Sequence, residues 1–426
     1  MNRNVVTKAL IPSIIAALTF VGVEEARANS LTWSSVSSIP ATPILRTAVS
    51  SSGSTIVVGT KNIGVYISTN SGSTFTKATA IPNGTYGVAV SGDGQKILAV
   101  SNGSSSVYSS TNQGQTWISR TTATNQSAAC ISGDGNTWIA APYGGNAYLS
   151  TSNGDTWTAI SAIGTGNWWT CAMSYDGSKR YIQPWSAAIK ISTDSGVTWS
   201  TSGTVISDSY GISTTTDGSK VLQVTRNGNK AFISTNSGAT FTQLYAAAGD
   251  VYAGAISGDG TKIALAVYVN STGSFIMYSS NGGSTWTQET NAGRRTWYTI
   301  AMNDSGSRVI AGTDITSFVY LGVIQSPGSL SLQSISPSAA ALSFRRTYLL
   351  TVNASNEGKV TFFANGKKIA KCINKRTSSL IATCDYSPTR HGPVLITATL
   401  APTDSSIPVG SSNLLSSAVI ARTNTR

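Results

Sequence analysis

Short apolar segments alternate with turns rich in Ser, Gly and Asn along residues 31–325 of the 426-residue chain. Within one repeat, apolar segments cover residues 86–90, 96–100 and 107–109, and a fourth follows residue 117. Short segments of this kind, bounded by turn residues, are typical of β-strands, and helical spacing of apolar residues is absent from them. The pattern therefore predicts an all-β chain with four short strands in each repeat.

A turn motif, Ser-x-Asn/Asp-x-Gly-x-Thr-Trp/Phe, joins the third strand of each repeat to the fourth. Successive motif glycines lie 40 to 45 residues apart. This is the period of a four-stranded propeller blade. The six copies, one of which has Ser in place of Asn or Asp, cover residues 68–75, 110–117, 150–157, 192–199, 234–241 and 279–286.

A second motif, Ser/Thr-x-Asp-Gly, joins the first strand of each repeat to the second. It has five clear copies and two weaker ones, at residues 50–53 and 303–306. Seven copies of this turn against six of the other predict seven blades, with residues 31–36 as the outermost strand of the last blade. Such closure leaves no exposed pairing edge. The clear copies cover residues 91–94, 132–135, 174–177, 215–218 and 257–260.

The first motif resembles the Asp-box, or BNR repeat, of propellers in the sialidase and sortilin-like superfamily. The resemblance implies a seven-bladed propeller over residues 29–324, in which each motif side chain caps the backbone of its own turn. A neutral amide caps a turn but is a poor catalyst, so these positions are predicted to be structural. They are Asn70, Asn112, Ser152, Asp194, Asn236 and Asn281.

The last third of the chain has a different pattern, which begins after a Ser/Pro/Gly-rich linker at residues 325–330. Five short apolar segments separated by turns over residues 331–426 predict a β-sandwich. The hairpin at residues 358–369 resembles bacterial immunoglobulin-like repeats of cell-surface proteins. The resemblance implies an Ig-like domain, although the Trp of antibody domains is missing.

The N-terminal residues have the features of a secretory signal peptide. Arg3 and Lys8 precede an apolar run at residues 11–23, and Ala26-Arg27-Ala28 follows as a cleavage site. A membrane anchor is the less favoured alternative, because the run is short of the roughly 20 residues that a spanning helix needs. Residues 1–28 are therefore predicted to be removed, and the mature protein is predicted to be secreted, periplasmic or at the cell surface.

The net charge of +12 is concentrated in the last third, where residues 328–426 carry 11 Lys and Arg against 3 Asp and Glu. A basic patch on one hairpin is predicted to meet an anionic polymer such as a polysaccharide. A solvated edge that discourages strand pairing is the alternative. The patch comprises Lys367, Lys368, Lys371, Lys375 and Arg376.

The four cysteines fall into two pairs. Cys372 and Cys384 lie in neighbouring strand-like segments and are predicted to form a disulfide. Cys130 and Cys171 lie two and three residues before their turns, on opposite strand faces, and are predicted to be free buried thiols. No metal site is predicted.

Catalytic residues are scarce for a sialidase-type enzyme, which the resemblance implies would need an arginine triad and a Tyr/Glu pair. Glu289, placed on an outer strand, is the only glutamate in residues 31–327. Asp208 and Asp250, just before the first strands of neighbouring repeats, are the remaining candidates for an acid/base pair. The favoured reading is that both cap loops on the rim.

Aromatic residues recur five positions before the Ser-x-Asp-Gly turn in five of the seven repeats. Aromatic rings stack on sugars and Arg binds anions, so this ring of residues predicts a ligand-binding face. Packing of each strand entry against the next blade is the alternative. The candidates are Arg46, Tyr86, Trp169, Tyr210, Tyr252, Arg295 and Tyr298.

Together these patterns favour an exported, non-catalytic protein that binds a carbohydrate or a protein partner on the propeller face. The alternative is a glycoside hydrolase or polysaccharide lyase of the Asp-box type. A third possibility is an assembly-factor propeller such as those that serve photosystem II, which would not explain the basic sandwich. No cofactor, nucleic acid or membrane span is predicted.

Overall fold

The computed structural model describes most of the chain from residue 31 onward. The described residues are 31–101, 106–122, 125–246, 249–269, 273–314, 318–324, 330–336, 341–343, 345, 347–354, 357–389, 392–403, 410–411 and 415–420. The predicted signal peptide, residues 1–28, lies outside them, as does most of the predicted linker. Among the described residues, no helix is long and apolar enough to cross a membrane.

Described residues 31–324 form five four-stranded antiparallel sheets and one eight-stranded sheet. The eight-stranded sheet divides into two sets of four, which are joined because the second strand of set 3 also pairs with the first strand of set 4, so there are seven sets of four strands. Sets 1 to 3 comprise β2 Ile44–Val49, β3 Ile56–Thr60, β4 Val65–Ser68, β5 Thr76–Ala78; β6 Thr85–Val90, β7 Ile97–Ser101, β8 Ser106–Ser110, β9 Ile118–Thr121; and β10 Gln126–Ile131, β11 Trp138–Asn146, β12 Tyr148–Ser150, β13 Thr158–Ala159. Sets 4 and 5 comprise β14 Thr165–Met173, β15 Arg180–Pro184, β16 Lys190–Ser192, β17 Ser200–Thr201; and β18 Ser209–Thr214, β19 Val221–Thr225, β20 Lys230–Ser234, β21 Thr242–Ala246. Sets 6 and 7 comprise β22 Asp250–Ile256, β23 Ile263–Tyr268, β24 Phe275–Ser279, β25 Thr287–Gln288; and β26 Trp297–Met302, β27 Arg308–Thr313, β28 Val319–Ile324, β1 Leu31–Val36.

The first strands of the seven sets contact one another in a closed cycle, β2–β6–β10–β14–β18–β22–β26–β2. Strand β1 pairs with β28 in antiparallel register from Leu31 opposite Ile324 to Val36 opposite Val319. This is the position that the sequence pattern predicts for the N-terminal strand. The two ends of the repeat region thereby lie in one sheet.

Backbone hydrogen bonds connect the seven Ser-x-Asp-Gly turns in a second closed cycle, here called the turn ring. Each turn donates an N–H to a carbonyl of the following turn, and the last turn donates to the first. The bonds are Ser51 N to Gly92 O, Gly92 N to Gly133 O, Asp134 N to Tyr175 O, Tyr175 N to Thr216 O, Thr216 N to Gly258 O, Gly258 N to Asp304 O and Asp304 N to Ser51 O, with lengths of 2.7 to 3.2 Å.

Side chains reinforce the turn ring, because the fifth residue after the start of each turn packs on the glycine of the next. A Cβ added to any of these glycines would lie 2.3 to 2.9 Å from that side chain. The pairs are Thr55 on Gly94, Lys96 on Gly135, Thr137 on Gly177, Lys179 on Gly218, Lys220 on Gly260, Lys262 on Gly306 and Arg308 on Gly53. The turn glycines are thus needed for close approach as well as for their backbone conformation.

Cys130 and Cys171 are disulfide-bonded, with Cα atoms 6.0 Å apart, so the prediction of two free thiols was wrong. Cys130 and Cys171 do lie on opposite faces of equivalent strands, as predicted. That placement brings the two side chains together. Strands β10 and β14 belong to adjacent sets, and the forward face of one set packs against the rear face of the next. Side chains on opposite faces therefore meet between the sets.

The closing strand is anchored by a buried carboxylate. Trp33 Nε1 in β1 donates a hydrogen bond of 3.2 Å to Glu289, which lies directly after β25 in set 6. Burial raises the pKa of Glu289, and the bonds from Trp33 and from the Leu31 backbone oppose that shift. Glu289 therefore connects sets 6 and 7, and its role in the structure is to anchor β1.

Residues beyond 329 form a three-stranded and a seven-stranded sheet. Both sheets contribute to one apolar core, with Leu350 and Cys384 from the first and Phe362 and Ile396 from the second. Cys372 and Cys384 are disulfide-bonded within this core, with Cα atoms 5.5 Å apart. The strands are β29 Leu330–Ser336, β30 Ala341–Ser343, β31 Tyr348–Ala354, β32 Gly358–Ala364, β33 Lys367–Lys368, β34 Lys375–Arg376, β35 Ile381–Tyr386, β36 Gly392–Pro402, β37 Gly410–Ser411 and β38 Leu415–Ile420.

We predict that Gly133→Ala destabilises the repeat region by about 1–3 kcal/mol, because its Cβ overpacks the turn ring. The new Cβ would lie 2.1 Å from Cδ2 of the Tyr175 ring. Urea unfolding followed by Trp fluorescence measures this, since all 10 Trp residues lie within residues 33–297.

The control is Gly203→Ala, whose Cβ would lie 3.4 Å from its nearest neighbour, the Ala239 carbonyl oxygen. It should change stability little. In a Tyr175→Ala background the cost of Gly133→Ala should fall, because the clashing ring is gone. An equal cost in both backgrounds would show that Tyr175 does not set the packing of the turn ring.

Candidate functional site

A β-bulge interrupts the first strand of every set, at the end of the ring where these strands begin. We call this the entry end, and the opposite end, which carries the turn ring, the turn end. The residue left unpaired by each bulge is Leu45, Tyr86, Ser127, Trp169, Tyr210, Tyr252 or Tyr298. Bulges re-aim side chains. The aromatic residues that recur in the sequence are therefore all bulge residues.

Four of the five bulge aromatics join one cluster at the entry end. Tyr210 lies at its centre, with ring centroids 5.2 Å from Trp169, 5.4 Å from Tyr252 and 5.9 Å from Tyr298. The Tyr210 and Tyr298 hydroxyls are hydrogen-bonded, although they belong to non-adjacent sets 5 and 7. The cluster therefore reaches across the ring axis. Its members, here called the entry cluster, are Arg46, Trp169, Trp185, Tyr210, Arg226, Tyr252, Tyr268 and Tyr298.

Two guanidinium groups lie over the rings of the entry cluster. Cζ of Arg46 is 5.2 Å from the Trp169 centroid, and Cζ of Arg226 is 5.8 Å from Tyr210 and 5.4 Å from Tyr252. Across the described residues, the ion pair found is Arg120 with Asp155, so neither cluster arginine has a carboxylate within 4.0 Å. Both are half-buried cations, and neither forms an ion pair with a described carboxylate.

Tyr210 supports the cluster from beneath, since only 7% of its surface is exposed. Its backbone carbonyl accepts a hydrogen bond of 3.0 Å from Trp169 Nε1. Burial, with the Tyr298 hydroxyl as a further cause, raises the pKa of Tyr210 above its ordinary value. Trp169, Tyr252 and Tyr298 are half-buried, so part of each side chain remains accessible at the entry end.

A cavity of about 160 Å³ lies under the entry cluster and is lined by Arg46, Trp169, Tyr210, Tyr252 and Tyr298. The other described lining residues are small, apolar or hydroxylic, and none is acidic. A larger cavity of about 300 Å³ continues towards the turn end, where Tyr175 and Asp304 line it. The entry end thus offers rings and cations, whereas the carboxylates needed for acid/base catalysis are missing from its lining.

The two aspartates weighed as catalytic residues lie beside the entry cluster. Burial raises the pKa of Asp250, and the charge of Arg226 opposes this shift. Asp208 adopts a left-handed backbone with φ of 54°, and its carbonyl accepts a 3.0 Å hydrogen bond from the Arg226 N–H. Neither residue lines the entry-end cavity. Asp208 therefore positions the hairpin that carries Arg226.

Three members of the entry cluster, Trp185, Arg226 and Tyr268, are not among the binding residues predicted from the sequence. Each lies at the end of the second strand of its set or just after it, and second strands end where first strands begin. Periodicity could have revealed them, because each lies eleven residues after the start of its Ser-x-Asp-Gly turn, where Lys61 and Tyr143 stand in sets 1 and 3. The available signal is their place in the hairpins next to the strand entries.

Two predicted binding residues lie outside the entry cluster. Arg295 stacks on Tyr320, with Cζ 4.2 Å from the ring centroid, and its Nε donates to the Ala292 carbonyl. Tyr86, the bulge residue of set 2, forms no ring pair with the cluster in the described part of the chain. The cluster is thus asymmetric and occupies the side formed mainly by sets 4 to 7.

The six predicted structural positions each accept a hydrogen bond from the backbone N–H four residues later, at 2.9 or 3.0 Å. Donation from Thr198 and Ser192 lowers the pKa of Asp194 to about 2. The described geometry thus makes turn caps of Asn70, Asn112, Ser152, Asp194, Asn236 and Asn281.

The five cations of the predicted basic patch are all exposed. They lie on β33, β34 and the intervening 3-10 turn Ala370–Cys372, against the edge of β32. Arg376 lies directly opposite Lys359, a like-charge pair across two strands. The disulfide of Cys372 fixes the turn between the two short strands. The patch is therefore a cationic sheet edge.

Solved structures similar to this chain are β-propellers. A structure of YCF48 bound to D1 peptide aligns with 68% of this chain and 97% of its own, at 16% identity and a TM-score of 0.53. The GH74 xyloglucanase of Xanthomonas campestris aligns with 88% of this chain and 66% of its own, at 10% identity and a TM-score of 0.57. The fold is a β-propeller.

A GH74 enzyme of Niastella koreensis aligns with 70% of this chain at 18% identity and a TM-score of 0.52. The matched region spans 44% of that enzyme's length. No protein-family model and no curated protein sequence matches the chain. The propellers it resembles thus include both glycoside hydrolases and a peptide-bound protein.

We predict that Arg226→Met raises the pKa of Asp250 further, because the cation that opposes the effect of burial is removed. A ¹³C NMR titration of labelled Asp side chains measures the shift. Lys230→Met, in the same hairpin, is the control and should leave the pKa of Asp250 nearly unchanged. An unaltered Asp250 titration in Arg226→Met would contradict the electrostatic effect of Arg226 on Asp250.

Proposed function

We propose that this chain is a seven-bladed propeller of the Asp-box type whose entry end binds an anionic carbohydrate without cleaving it. Each four-strand set is one blade in this proposal, and residues 331–426 form an Ig-like sandwich. The observation that carries the functional proposal is the entry cluster. It combines half-buried aromatic rings with two guanidinium groups that form no ion pair with a carboxylate among the described residues.

The chemistry of the entry cluster suits a sugar that carries a carboxylate. The C–H faces of a pyranose stack on Trp and Tyr rings, while a guanidinium binds a planar carboxylate through two parallel hydrogen bonds. Arg46 and Arg226 approach the cluster from sets 1 and 5. A uronic acid residue stacked on Trp169 or Tyr298 would use both features.

Binding is favoured over hydrolysis because the described lining of the entry-end cavity contains no pair of acids. Glycosidases generally place two carboxyl groups about 5 to 9.5 Å apart around the scissile bond. The described residues lining the entry-end cavity include no Asp or Glu. Glu289 is buried against Trp33, where strand β1 closes the ring. The hydrolase or lyase alternative would therefore have to rely on Asp208 and Asp250.

A protein partner is the second candidate ligand. The peptide-bound YCF48 structure, aligned over 97% of its length, supports this candidate. An acidic peptide with aromatic side chains would satisfy the same rings and guanidinium groups. We further propose that the protein is exported through a signal peptide at residues 1–28, and that the basic patch holds it to an anionic surface polymer.

The experiment is a calorimetric titration of the protein with trigalacturonate and, separately, with neutral maltotriose. Trigalacturonate should bind, and Arg46→Met or Arg226→Met should each weaken binding at least about tenfold through loss of a charge-assisted bond. Tyr298→Ala should weaken both ligands, because stacking does not depend on charge. Reducing ends should not increase over the course of the titration.

Arg120→Met is the matched control, because Arg120 lies on outer strand β9 and is paired with Asp155. The double variant Lys375→Met, Arg376→Met separates the entry cluster from the basic patch. Loss of binding only in that double variant would place the sugar on the sandwich instead. Release of reducing ends that Asp208→Asn or Asp250→Asn abolishes would establish the hydrolase alternative. Binding of an acidic peptide but not of trigalacturonate would make the ligand a protein.

A further inference from the structure

One core position of the propeller carries a charge. The residue six positions after the start of each Ser-x-Asp-Gly turn is apolar in six sets and arginine in set 4. That arginine, Arg180, is only 5% exposed. The apolar equivalents are Ile56, Ile97, Trp138, Val221, Ile263 and Val309. Buried charges are expensive unless they are paired or hydrogen-bonded, so Arg180 requires an explanation.

The hydrogen-bonding capacity of Arg180 is only partly used. Its Nε donates to the Gly177 carbonyl at 2.8 Å, as Trp138 Nε1 does to the Gly135 carbonyl in set 3. Among the described residues, Nη1 and Nη2 donate no hydrogen bond, and neither is one of the fully buried side-chain atoms without a partner, so both remain accessible from outside the core. Asp194 acts on Arg180 only at longer range and does not form an ion pair with it.

A second donor beside Arg180 is also unpaired. Trp117 and Trp157 each donate from Nε1 to the carbonyl of their own turn glycine at 3.0 Å. The equivalent Trp199 does not, and its buried Nε1 has no hydrogen-bond partner in the described part of the chain. Nη1 of Arg180 lies against Gly196, the turn glycine that precedes Trp199.

Both unpaired donors border a pocket of about 200 Å³ between sets 3 and 4. Its walls include Leu149 and Ile160, and no acidic residue is among its described lining residues. The pocket shares no lining residue with the entry-end cavity. It therefore combines a buried cation and an indole N–H with an apolar wall.

We propose that this pocket binds a small organic carboxylate. The Nη1 and Nη2 groups of Arg180 match the two oxygens of a planar carboxylate, and Trp199 Nε1 supplies a third donor. The apolar body of the ligand packs against Leu149 and Ile160. Binding would satisfy both donors, which the folded protein leaves without partners in this region.

Benzoate is the probe, because it has an apolar body and is anionic at neutral pH. Calorimetry should detect benzoate binding, and neutral benzamide should bind at least about tenfold more weakly. Arg180→Met should reduce benzoate affinity by a similar factor, since it removes the cation but retains the apolar stem. Trp199→Phe should weaken benzoate binding several-fold. This variant retains an aromatic ring at position 199 and therefore serves as a second test if Arg180→Met fails to fold.

Trp157→Phe is the matched control, because Trp157 holds the equivalent position in set 3 and its N–H already has a partner. It should leave benzoate affinity unchanged. Because the entry cluster is itself proposed to bind carboxylates, the benzoate titration is repeated with saturating trigalacturonate, which should leave the binding that depends on Arg180 in place and so separates this site from the proposed carbohydrate site. Equal benzoate affinity in wild type, Arg180→Met and Trp199→Phe would overturn the proposal, as would the absence of benzoate binding.

Discussion

The turn ring is the constraint on which the rest of this propeller depends. Seven backbone hydrogen bonds run from turn to turn and return from Asp304 to Ser51. Because each bond fixes the distance between adjacent first strands at the turn end, it also fixes where those strands begin at the entry end. The side chains of Lys96 and its equivalents fill the space over the neighbouring glycines and leave little freedom for the sets to separate.

A closed ring explains why the entry end can be specialised. The seven bulges occur at equivalent places, so the ring presents seven side chains at one height around one axis. Aromatic residues at several of these places are long enough to meet across the axis, as Tyr210 and Tyr298 do. The arginines then lie over rings whose positions the scaffold has already fixed, which reduces the ordering cost of binding.

Much of this architecture could be predicted from the sequence, but only where a feature repeats. The all-β character follows from the alternation and the turn motifs, and the ring position of Trp169 or Tyr252 follows from its distance to a turn. The sequence does not reveal the bulges, because an unpaired residue has no signature of its own. Arg226 and Trp185 were missed because the repeat position that they share, eleven residues after the start of the turn, changes residue type from set to set, so no single residue type marks it.

The sequence also could not show which side chains of different sets meet in three dimensions. The forward face of one first strand packs against the rear face of the next, so side chains on opposite faces of equivalent strands meet. The odd difference between the positions of Cys130 and Cys171 in their repeats therefore favours a disulfide instead of excluding one. The surroundings of Arg180 could not be predicted from the sequence for the same reason. Its position is recognisable as core from the repeat, yet the unpaired donors around it are seen only in three dimensions.

The most direct test of this account is hydrogen–deuterium exchange with and without saturating trigalacturonate. The account predicts slower amide exchange at the starts of β14, β18, β22 and β26, where the bulges lie, and unchanged exchange in the turn ring. Protection confined to residues 367–376, or to the turn end, would contradict the assignment of ligand binding to the entry end.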